Sequence, residues 1–290
     1  MAEFRAGVVA LLGRPNAGKS TLMNHVLGEK LAIVTAKPQT TRSRILGIHT
    51  TDTAQILFLD TPGLHASEKA LNAALNLQVT EAGQGCDVAL LLVDLRQEWG
   101  EDHAVLLASL QARGTPTFVV GTQLDRRGAA ERPWPPAGVE APSARISART
   151  GEGVPALLES VVAALPVSPP LYPEDELSNR PLRWLVAEQI REAAFEALSQ
   201  ELPYALAVEV MQFDESRPEC IKIRANVIIE RASQKAMVIG KGGAMIKRIG
   251  SRARPPIEAL LGTQVYLELF VRVEPKWAKR PQRLKELGYD

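Results

Sequence analysis

Several features that would assign this chain to a specialised class of protein are missing from its sequence. Its two cysteines, Cys86 and Cys220, lie far apart and form no CxxC pair, so a disulfide scaffold or a cysteine zinc site is not expected. The four histidines show no metal-ligand spacing. The sequence has no run of about 18 apolar residues and no secretory signal pattern at its start. These absences predict a protein of a reducing compartment without a membrane span.

Charge of one sign is not in excess either, since 34 basic side chains stand against 33 acidic ones. The net charge of +1 nevertheless hides an asymmetry. Residues 1–180 carry 16 basic and 19 acidic side chains, whereas residues 181–290 carry 18 and 14. The second part is therefore expected to meet an anionic partner. The hydrophobic fraction of 46% is typical of globular chains, and roughly 150 residues per domain makes this length about two domains.

The first part of the chain alternates short apolar runs with helical patterns. The helical patterns cover residues 19–27 and 152–165, and the apolar runs predict strands at residues 7–12, 53–59, 88–93, 117–121 and 145–147. Strands separated by helices favour a mostly parallel sheet with helices on both faces. This pattern predicts an α/β domain over residues 1–168.

A proline-rich stretch, residues 169–181, is predicted to be a stiff linker. Beyond it the pattern changes to a helix over residues 182–198, followed by extended segments at 204–211 and 221–230. Two short helical segments joined by a glycine loop then precede a strand at 265–273. The order α-β-β-α-loop-α-β predicts an α+β domain over residues 182–275, and residues 276–290 are a basic tail.

An octapeptide between the first strand and the first helix carries the pattern of phosphate binding. It reads G-x-x-x-x-G-K-S, and with Thr21 it comprises Gly13, Arg14, Pro15, Asn16, Ala17, Gly18, Lys19 and Ser20. Backbone amides of such a P-loop cradle phosphates at a helix N-terminus. Lys19 is expected to reach the β- and γ-phosphates, and the Ser20 hydroxyl to bind Mg²⁺. The motif predicts a site for a nucleoside triphosphate.

Two further segments are interpreted as nucleotide-dependent switches. Switch II, at the end of a predicted strand, comprises Asp60, Thr61, Pro62 and Gly63. Asp60 is expected to help hold Mg²⁺, and the Gly63 amide to contact the γ-phosphate. Switch I comprises Gln39, Thr40, Thr41 and Arg42. Either Thr40 or Thr41 is expected to complete the magnesium shell, and the spacing does not decide between them.

The candidate base site departs from the usual guanine pattern. Thr122, Gln123, Leu124 and Asp125 occupy the place where guanine-binding proteins carry Asn-Lys-x-Asp. Asp125 can accept hydrogen bonds from guanine N1 and N2, donors that adenine lacks. The last element of the site, with a backbone amide for guanine O6, is predicted at Ser147, Ala148 and Arg149. Thr122 has no amide and Gln123 no charge, so guanine preference with weakened affinity is expected.

Two alternatives to a working guanine site remain open on the residues alone. The TQLD sequence of residues 122–125 favours an RNA-binding protein whose nucleotide site has decayed. An ATP-using P-loop enzyme is the other alternative, against which Asp125 argues.

The glycine loop of the second part is the candidate RNA site. Gly240, Lys241, Gly242 and Gly243 fit the GxxG loop of a type II KH domain, which clamps about four nucleotides. Residues 231–257 hold seven basic and no acidic side chains, which favours a phosphate-facing surface over a solubility patch. The predicted RNA contacts are Ile239, Gly240, Lys241, Gly242, Gly243, Lys247, Arg248 and Arg252. The basic tail includes Arg283, and its Trp277 either stacks on a base or packs on the domain.

Together these motifs resemble the Era family of bacterial GTPases over nearly the whole chain. The segments that carry the resemblance are PQTTRSRILGIHT, DTPGLH, YPEDELSNRP and KAMVIGKGGAMIKRIG. The resemblance implies a P-loop GTPase domain followed by a KH domain, with GTP, GDP and Mg²⁺ as ligands and slow hydrolysis. Because Leu64 follows Gly63, no glutamine stands there to orient water, and no catalytic base is assigned.

The same resemblance implies the partners of the chain. It predicts binding to the 3′ end of small-subunit ribosomal RNA and a role in assembly and maturation of the small ribosomal subunit. A cytoplasmic monomer is expected, with a peripheral contact at the inner face of the cell membrane implied by the resemblance alone.

Overall fold

The computed structural model describes residues 3–35, 45–60, 85–199 and 202–289, and the chain divides into two compact units between Asn179 and Arg180. The described helices of the first unit are α1 (Lys19–Leu27), α2 (Glu101–Ala112) and α3 (Val154–Ala164). Its described strands are β1 (Arg5–Gly13), β2 (Ile45–Thr50), β3 (Ala54–Asp60), β4 (Val88–Asp94), β5 (Thr117–Thr122) and β6 (Ser143–Arg145).

The strands of the first unit form one sheet in the order β2-β3-β1-β4-β5-β6. All neighbouring pairs are parallel except β2 and β3, which run antiparallel. The predicted mostly parallel sheet is therefore confirmed. The sequence patterns did not predict β2, an edge strand that pairs only with β3 in this sheet, nor did they predict helix α2.

The burial of β4 shows that both faces of the sheet are covered. Every residue of β4 is buried, which requires packing on both faces of the sheet. On one face, Leu106 and Leu110 of α2 join the same core cluster as Leu91 of β4. Because β1, β4 and β5 run parallel, their carboxyl ends meet at one edge, where Gly13, Asp94 and Thr122 lie. This edge positions the candidate nucleotide site.

The proline-rich segment is bonded along the first unit, which its composition did not predict. The amides of Leu171 and Tyr172 donate to Gln55 Oε1 at 2.7 and 2.9 Å. The Leu177 carbonyl accepts from the Ile48 amide at 2.9 Å. These bonds give backbone groups of the non-proline residues partners on β2 and β3, so the segment is exposed but tethered to the sheet.

The second unit begins with a long helix and ends on a short one. Its helices are α4 (Leu182–Ala197), α5 (Ala232–Ile239), α6 (Ala244–Leu261) and α7 (Pro281–Glu286). Its strands are β7 (Leu206–Asp214), β8 (Cys220–Ile229) and β9 (Gln264–Val273). They form a three-stranded sheet in which β7 and β8 are antiparallel and β8 and β9 parallel. The predicted order of helices and strands is confirmed.

Helix α6 is longer than the short helical segment that the sequence predicts, because it continues through Pro255 and Pro256. Its buried positions are Ile249, Ala253 and Ile257, at a spacing of four residues. This apolar stripe packs into the core of the unit and outweighs the cost of two interior prolines. Among the described helices, none combines the length and the hydropathy that crossing a bilayer requires.

Candidate nucleotide site and RNA-binding surface

The P-loop links the end of β1 to the start of α1 through a tight backbone path. Gly13 and Gly18 have φ angles of 136° and 95°, and Asn16 has a φ of 60°. A Cβ atom on Gly13 would collide with the Leu92 carbonyl oxygen of β4. Glycine is therefore required at Gly13 by both its backbone angle and its neighbour.

Lys19 lies folded into the P-loop that precedes it. Its Nζ donates to the Gly13 carbonyl at 2.9 Å and to the Arg14 carbonyl at 3.0 Å. Burial lowers the pKa of Lys19 to about 8, while the charge of Asp60 acts in the opposite direction. Both bonds are to backbone carbonyls of the loop, so the ammonium group lies where the loop would surround phosphates.

Ser20 and Asp60 bring the P-loop and the end of β3 together. The Ser20 hydroxyl donates to Asp60 Oδ2 at 2.6 Å, and Asp60 is fully buried. Hydroxyl and carboxylate oxygens are ligands that Mg²⁺ prefers, so this pair fits the predicted metal site. Within the described ranges, no group of three or more His, Cys, Asp or Glu side chains could hold a metal ion. Seven predicted switch residues lie outside those ranges, namely Gln39, Thr40, Thr41, Arg42, Thr61, Pro62 and Gly63.

The side chain of Arg14 is bound to a carboxylate outside the P-loop, that of Asp102. Its Nε donates to Asp102 Oδ2 at 2.6 Å, and its Nη2 to Oδ1 at 2.5 Å. Burial acts to raise the pKa of Asp102, but Arg14 and His103 outweigh it and hold that pKa below its ordinary value. Arg14 therefore contributes backbone to the loop and anchors it to the first turn of α2.

The strand end at Thr122 is joined directly to the P-loop. The Thr122 hydroxyl donates to the Ala17 carbonyl at 2.7 Å, and its side chain lies against Gly18. The neighbouring Gln123 has a φ of 60°, and its Nε2 donates to the Asn16 carbonyl at 3.0 Å. Thr122 and Gln123, the two residues that depart from the Asn-Lys-x-Asp pattern, thus both form hydrogen bonds to the P-loop.

Asp125 lies beside the second predicted base segment. Ser147 Oγ donates to Asp125 Oδ1 at 2.8 Å, and Arg149 Nη1 lies 3.8 Å from Oδ2. The Ser147 hydroxyl also accepts from the Thr150 amide at 3.2 Å, which fixes the loop that contains Ala148. The structure therefore brings together both parts of the predicted guanine site, although they are 22 residues apart in sequence.

Sequence reasoning missed two residues at this edge, Asp94 and Arg96. Asp94 ends β4, and both of its carboxylate oxygens accept from Arg96 at 2.7–3.0 Å. Gln123 bonds to both side chains. A buried aspartate at the end of a central strand, next to the TQLD strand end, is the signal that could have pointed to them.

The GxxG loop joins α5 and α6 as predicted. Gly240, Gly242 and Gly243 have φ angles of 72°, 60° and 81°. A Cβ on Gly240 would approach Met245 N to 2.8 Å, whereas Gly242 and Gly243 face open space. Lys241 is exposed, so the loop presents bare backbone and one cation to solvent. This is the form that close phosphate approach requires.

The basic side chains around the loop are not equally free. Lys247 and Arg248 are exposed on the first turns of α6, while Ile239 is half-buried. Arg252 forms an ion pair with Glu196 at 3.5 Å, and Arg254 one with Glu258 at 3.8 Å. The predicted cationic surface is therefore concentrated next to the glycine loop.

The basic tail differs from its prediction. Of the two roles left open for Trp277, the structure has the packed one, since Trp277 is buried and its Nε1 donates to the Ala205 carbonyl at 3.3 Å. Arg283 lies within 2.8 Å of Glu209 and 3.1 Å of both Glu274 and Glu286. The expectation that Arg283 adds to the surface charge is wrong, because its charge is balanced by three carboxylates.

The fold and these loops define a class, a P-loop GTPase domain followed by a KH domain. A family model described as 50S ribosome-binding GTPase matches residues 8–123, and a KH domain model matches residues 201–278. The GTPase Era of Geobacter metallireducens is 45% identical over 99% of this chain and 98% of the relative. The GTPase Era of Syntrophus aciditrophicus is 42% identical over 99% and 96%.

Two solved structures support the same assignment over the whole chain. One is Era in complex with MgGDPNP and nucleotides 1506–1542 of 16S ribosomal RNA, with 34% identity, a TM-score of 0.87 and 99% coverage of each chain. The other is a variant of Aquifex aeolicus Era bound to GDP and AlF4⁻, with 33% identity, a TM-score of 0.86 and the same coverage. The chain belongs to the Era family of GTPases. The predicted family and the predicted class of activity are confirmed.

Proposed function

We propose that this chain is a GTP-hydrolysing switch that binds the 3′ end of small-subunit ribosomal RNA and assists assembly and maturation of the small ribosomal subunit. The observation that carries the proposal is the presence, in one chain, of a formed P-loop and a basic GxxG loop. A related protein of known structure holds both MgGDPNP and a segment of 16S ribosomal RNA. GTP, GDP and Mg²⁺ are the ligands of the proposed site.

In the first unit, the P-loop backbone and the ammonium group of Lys19 hold the β- and γ-phosphates. Ser20 and Asp60 hold Mg²⁺, together with Thr40 or Thr41. A bound Mg²⁺ ion supplies positive charge at the β- and γ-phosphate oxygens. Asp125 accepts from guanine N1 and N2, and Ser147 fixes that carboxylate by its 2.8 Å hydrogen bond. No catalytic base is assigned to a residue.

In the second unit, the exposed backbone of residues 240–243 receives the RNA chain. Lys241, Lys247 and Arg248 are exposed around it and neutralise phosphates. Residues 1–168 form the GTPase domain, 169–181 the connection, 182–275 the KH domain and 276–290 the tail. A cytoplasmic monomer with a peripheral contact to the membrane belongs to the same proposal.

RNA binding measured in the two nucleotide states tests the proposal. A fluorescent RNA with the sequence of the small-subunit 3′ end is titrated with the chain loaded with a non-hydrolysable GTP analogue or with GDP. The switch predicts different affinities, because γ-phosphate contacts order the switch segments. Equal affinity in both states would contradict the switch, and an unrelated RNA of equal length controls for non-specific binding.

A decayed nucleotide site is the second candidate, favoured by the TQLD sequence alone. The bonds of Thr122 and Gln123 to the P-loop argue for a site that is still built. Titration with labelled GTP decides between the two. Binding in the micromolar range excludes decay, and no binding at millimolar GTP establishes it.

A further inference from the structure

The backbone angle and the contacts of Gln123 in the first unit are not accounted for by the proposed function. This residue takes the place of the lysine that guanine-binding proteins use above the base plane, and its φ of 60° is uncommon for a residue with a side chain. Such a backbone angle persists only where surrounding contacts hold it.

Both ends of the Gln123 amide are engaged. Its Nε2 donates to the Asn16 carbonyl at 3.0 Å and to Asp94 Oδ2 at 2.9 Å. Its Oε1 accepts from Arg96 Nη2 at 2.8 Å. The amide therefore joins the P-loop, the end of β4 and an arginine in one network.

Arg96 brings to this network the charge that Gln123 lacks. Its Nε and Nη2 reach the two oxygens of Asp94 at 3.0 and 2.7 Å, a bidentate pair that fixes the guanidinium plane. The hydrogen bond to Asp94 holds the pKa of Arg96 above its ordinary value, and the charge of Asp125 acts in the same direction. The side chain of Asp94 is 3% exposed and that of Arg96 is 47% exposed. The half-exposed guanidinium of Arg96 therefore lies beside Gln123, paired with Asp94 and within electrostatic reach of the carboxylate proposed to bind guanine.

We propose that Arg96 and Gln123 together replace the missing lysine, with the amide making the bond to the P-loop and the guanidinium, paired with Asp94, holding that amide in place. Arg96 is a positioning residue in this arrangement, since it acts by holding Gln123. The inference rests on the proposed function, because it explains how a TQLD sequence keeps guanine binding. It deepens that function by assigning a role to a residue outside every motif of the sequence.

A double-mutant cycle tests the inference by measuring GDP and GTP affinity of the full chain with a fluorescent nucleotide. The variants are Arg96→Met, Gln123→Lys and the double substitution. Arg96→Met is expected to weaken binding about ten-fold, the size of one lost charge-assisted hydrogen bond. In the Gln123→Lys background the same change is expected to alter affinity by less than about two-fold, because a lysine reaches the P-loop carbonyl without a guanidinium to hold it.

The control variant is Arg113→Met, which removes an exposed arginine at the end of α2. It should leave nucleotide affinity unchanged, and the melting temperature of each variant shows whether a loss comes from unfolding. Unchanged affinity of Arg96→Met would overturn the inference while leaving the proposed function intact. An equal loss in both backgrounds would overturn it too, since Arg96 would then act without Gln123. No nucleotide binding by the unmodified chain would instead reject the proposed function.

Discussion

The two glycine loops of the molecule bring backbone close to where phosphate is proposed to lie, but their surroundings differ. In the P-loop the lysine is folded inward and buried, and Gly13 lies against the Leu92 carbonyl. In the GxxG loop Lys241 is exposed, and Gly242 and Gly243 face open space. The first loop is shaped to surround a small ligand, whereas the second offers one open side to the RNA chain proposed to bind there.

Removal of the buried Lys19 should have the largest effect, and it should weaken nucleotide binding without weakening RNA binding. Lys19→Met is expected to lower nucleotide affinity about a hundred-fold, because charge-assisted bonds to the phosphates are lost. The RNA affinity measured without nucleotide should not change. Calorimetric titration with GDP and fluorescence anisotropy with RNA measure the two affinities. A parallel loss of RNA affinity would show that the loops do not act separately.

Negative charge on the exposed GxxG loop should weaken RNA binding without weakening nucleotide binding, by a somewhat smaller factor. The double variant Lys241→Asp, Gly242→Asp is expected to weaken RNA binding at least about ten-fold by repelling phosphate. Aspartate tolerates the left-handed backbone of Gly242, and the space around it is open, so folding should be kept. Anisotropy over a range of salt concentrations measures the loss. Arg217→Asp, at an exposed position between β7 and β8 and outside residues 231–257, is the control for a change of charge away from the loop.

Alanine substitutions compare the two loops by stability alone. Gly13→Ala should cost about 3 kcal/mol or more, because the new Cβ meets a strand carbonyl that cannot move. Gly242→Ala should cost only about 1 kcal/mol, the price of a positive φ without a collision. Urea unfolding gives the sizes, and hydrogen exchange at the amides of β1 and α6 assigns each loss to its unit. Similar costs at the two positions would contradict the comparison.

The smallest effect is expected away from both loops, at Arg283. Arg283→Met should lower stability by about 1 kcal/mol, since its ion pairs with Glu209 and Glu274 are partly exposed. It should leave both ligand affinities unchanged. Arg280→Met, which removes a longer and more exposed pair with Glu274, is the control and should cost less.

The difference in stability between the unmodified chain and Arg283→Met should become smaller at low pH. The hydrogen bond from Arg283, with its charge, holds the pKa of Glu209 below its ordinary value. The resulting stability is present above the unfolded carboxyl pKa of about 4.3 and is lost as the pH falls through the lower folded pKa. The gap in melting temperature between the unmodified chain and Arg283→Met should therefore narrow below about pH 4. A gap that widens on acidification would contradict this account.

Local patterns predicted the elements around both loops, and contacts distant in sequence limited the rest. Helix α1 begins and ends at the predicted residues, because Gly18 and Gly28 bound it with left-handed backbone. Strand β2 escaped prediction because it is a short edge strand of six residues whose buried positions do not alternate regularly along the chain. The tether between Gln123 and Asn16 joins residues 107 positions apart, which no spacing rule reveals. Trp277 could be placed only once the strand it covers was known.

The hydrogen bond from the Thr122 hydroxyl to the Ala17 carbonyl links the end of β5, next to the proposed base site, to the backbone of the P-loop. A ligand fragment that orders one end also orders the other, so guanosine and pyrophosphate would bind with positive cooperativity. In a whole nucleotide the base and the phosphates would then be coupled twice, through their covalent bonds and through the protein. Selectivity for the base is in this way expected to contribute to the affinity for the phosphates.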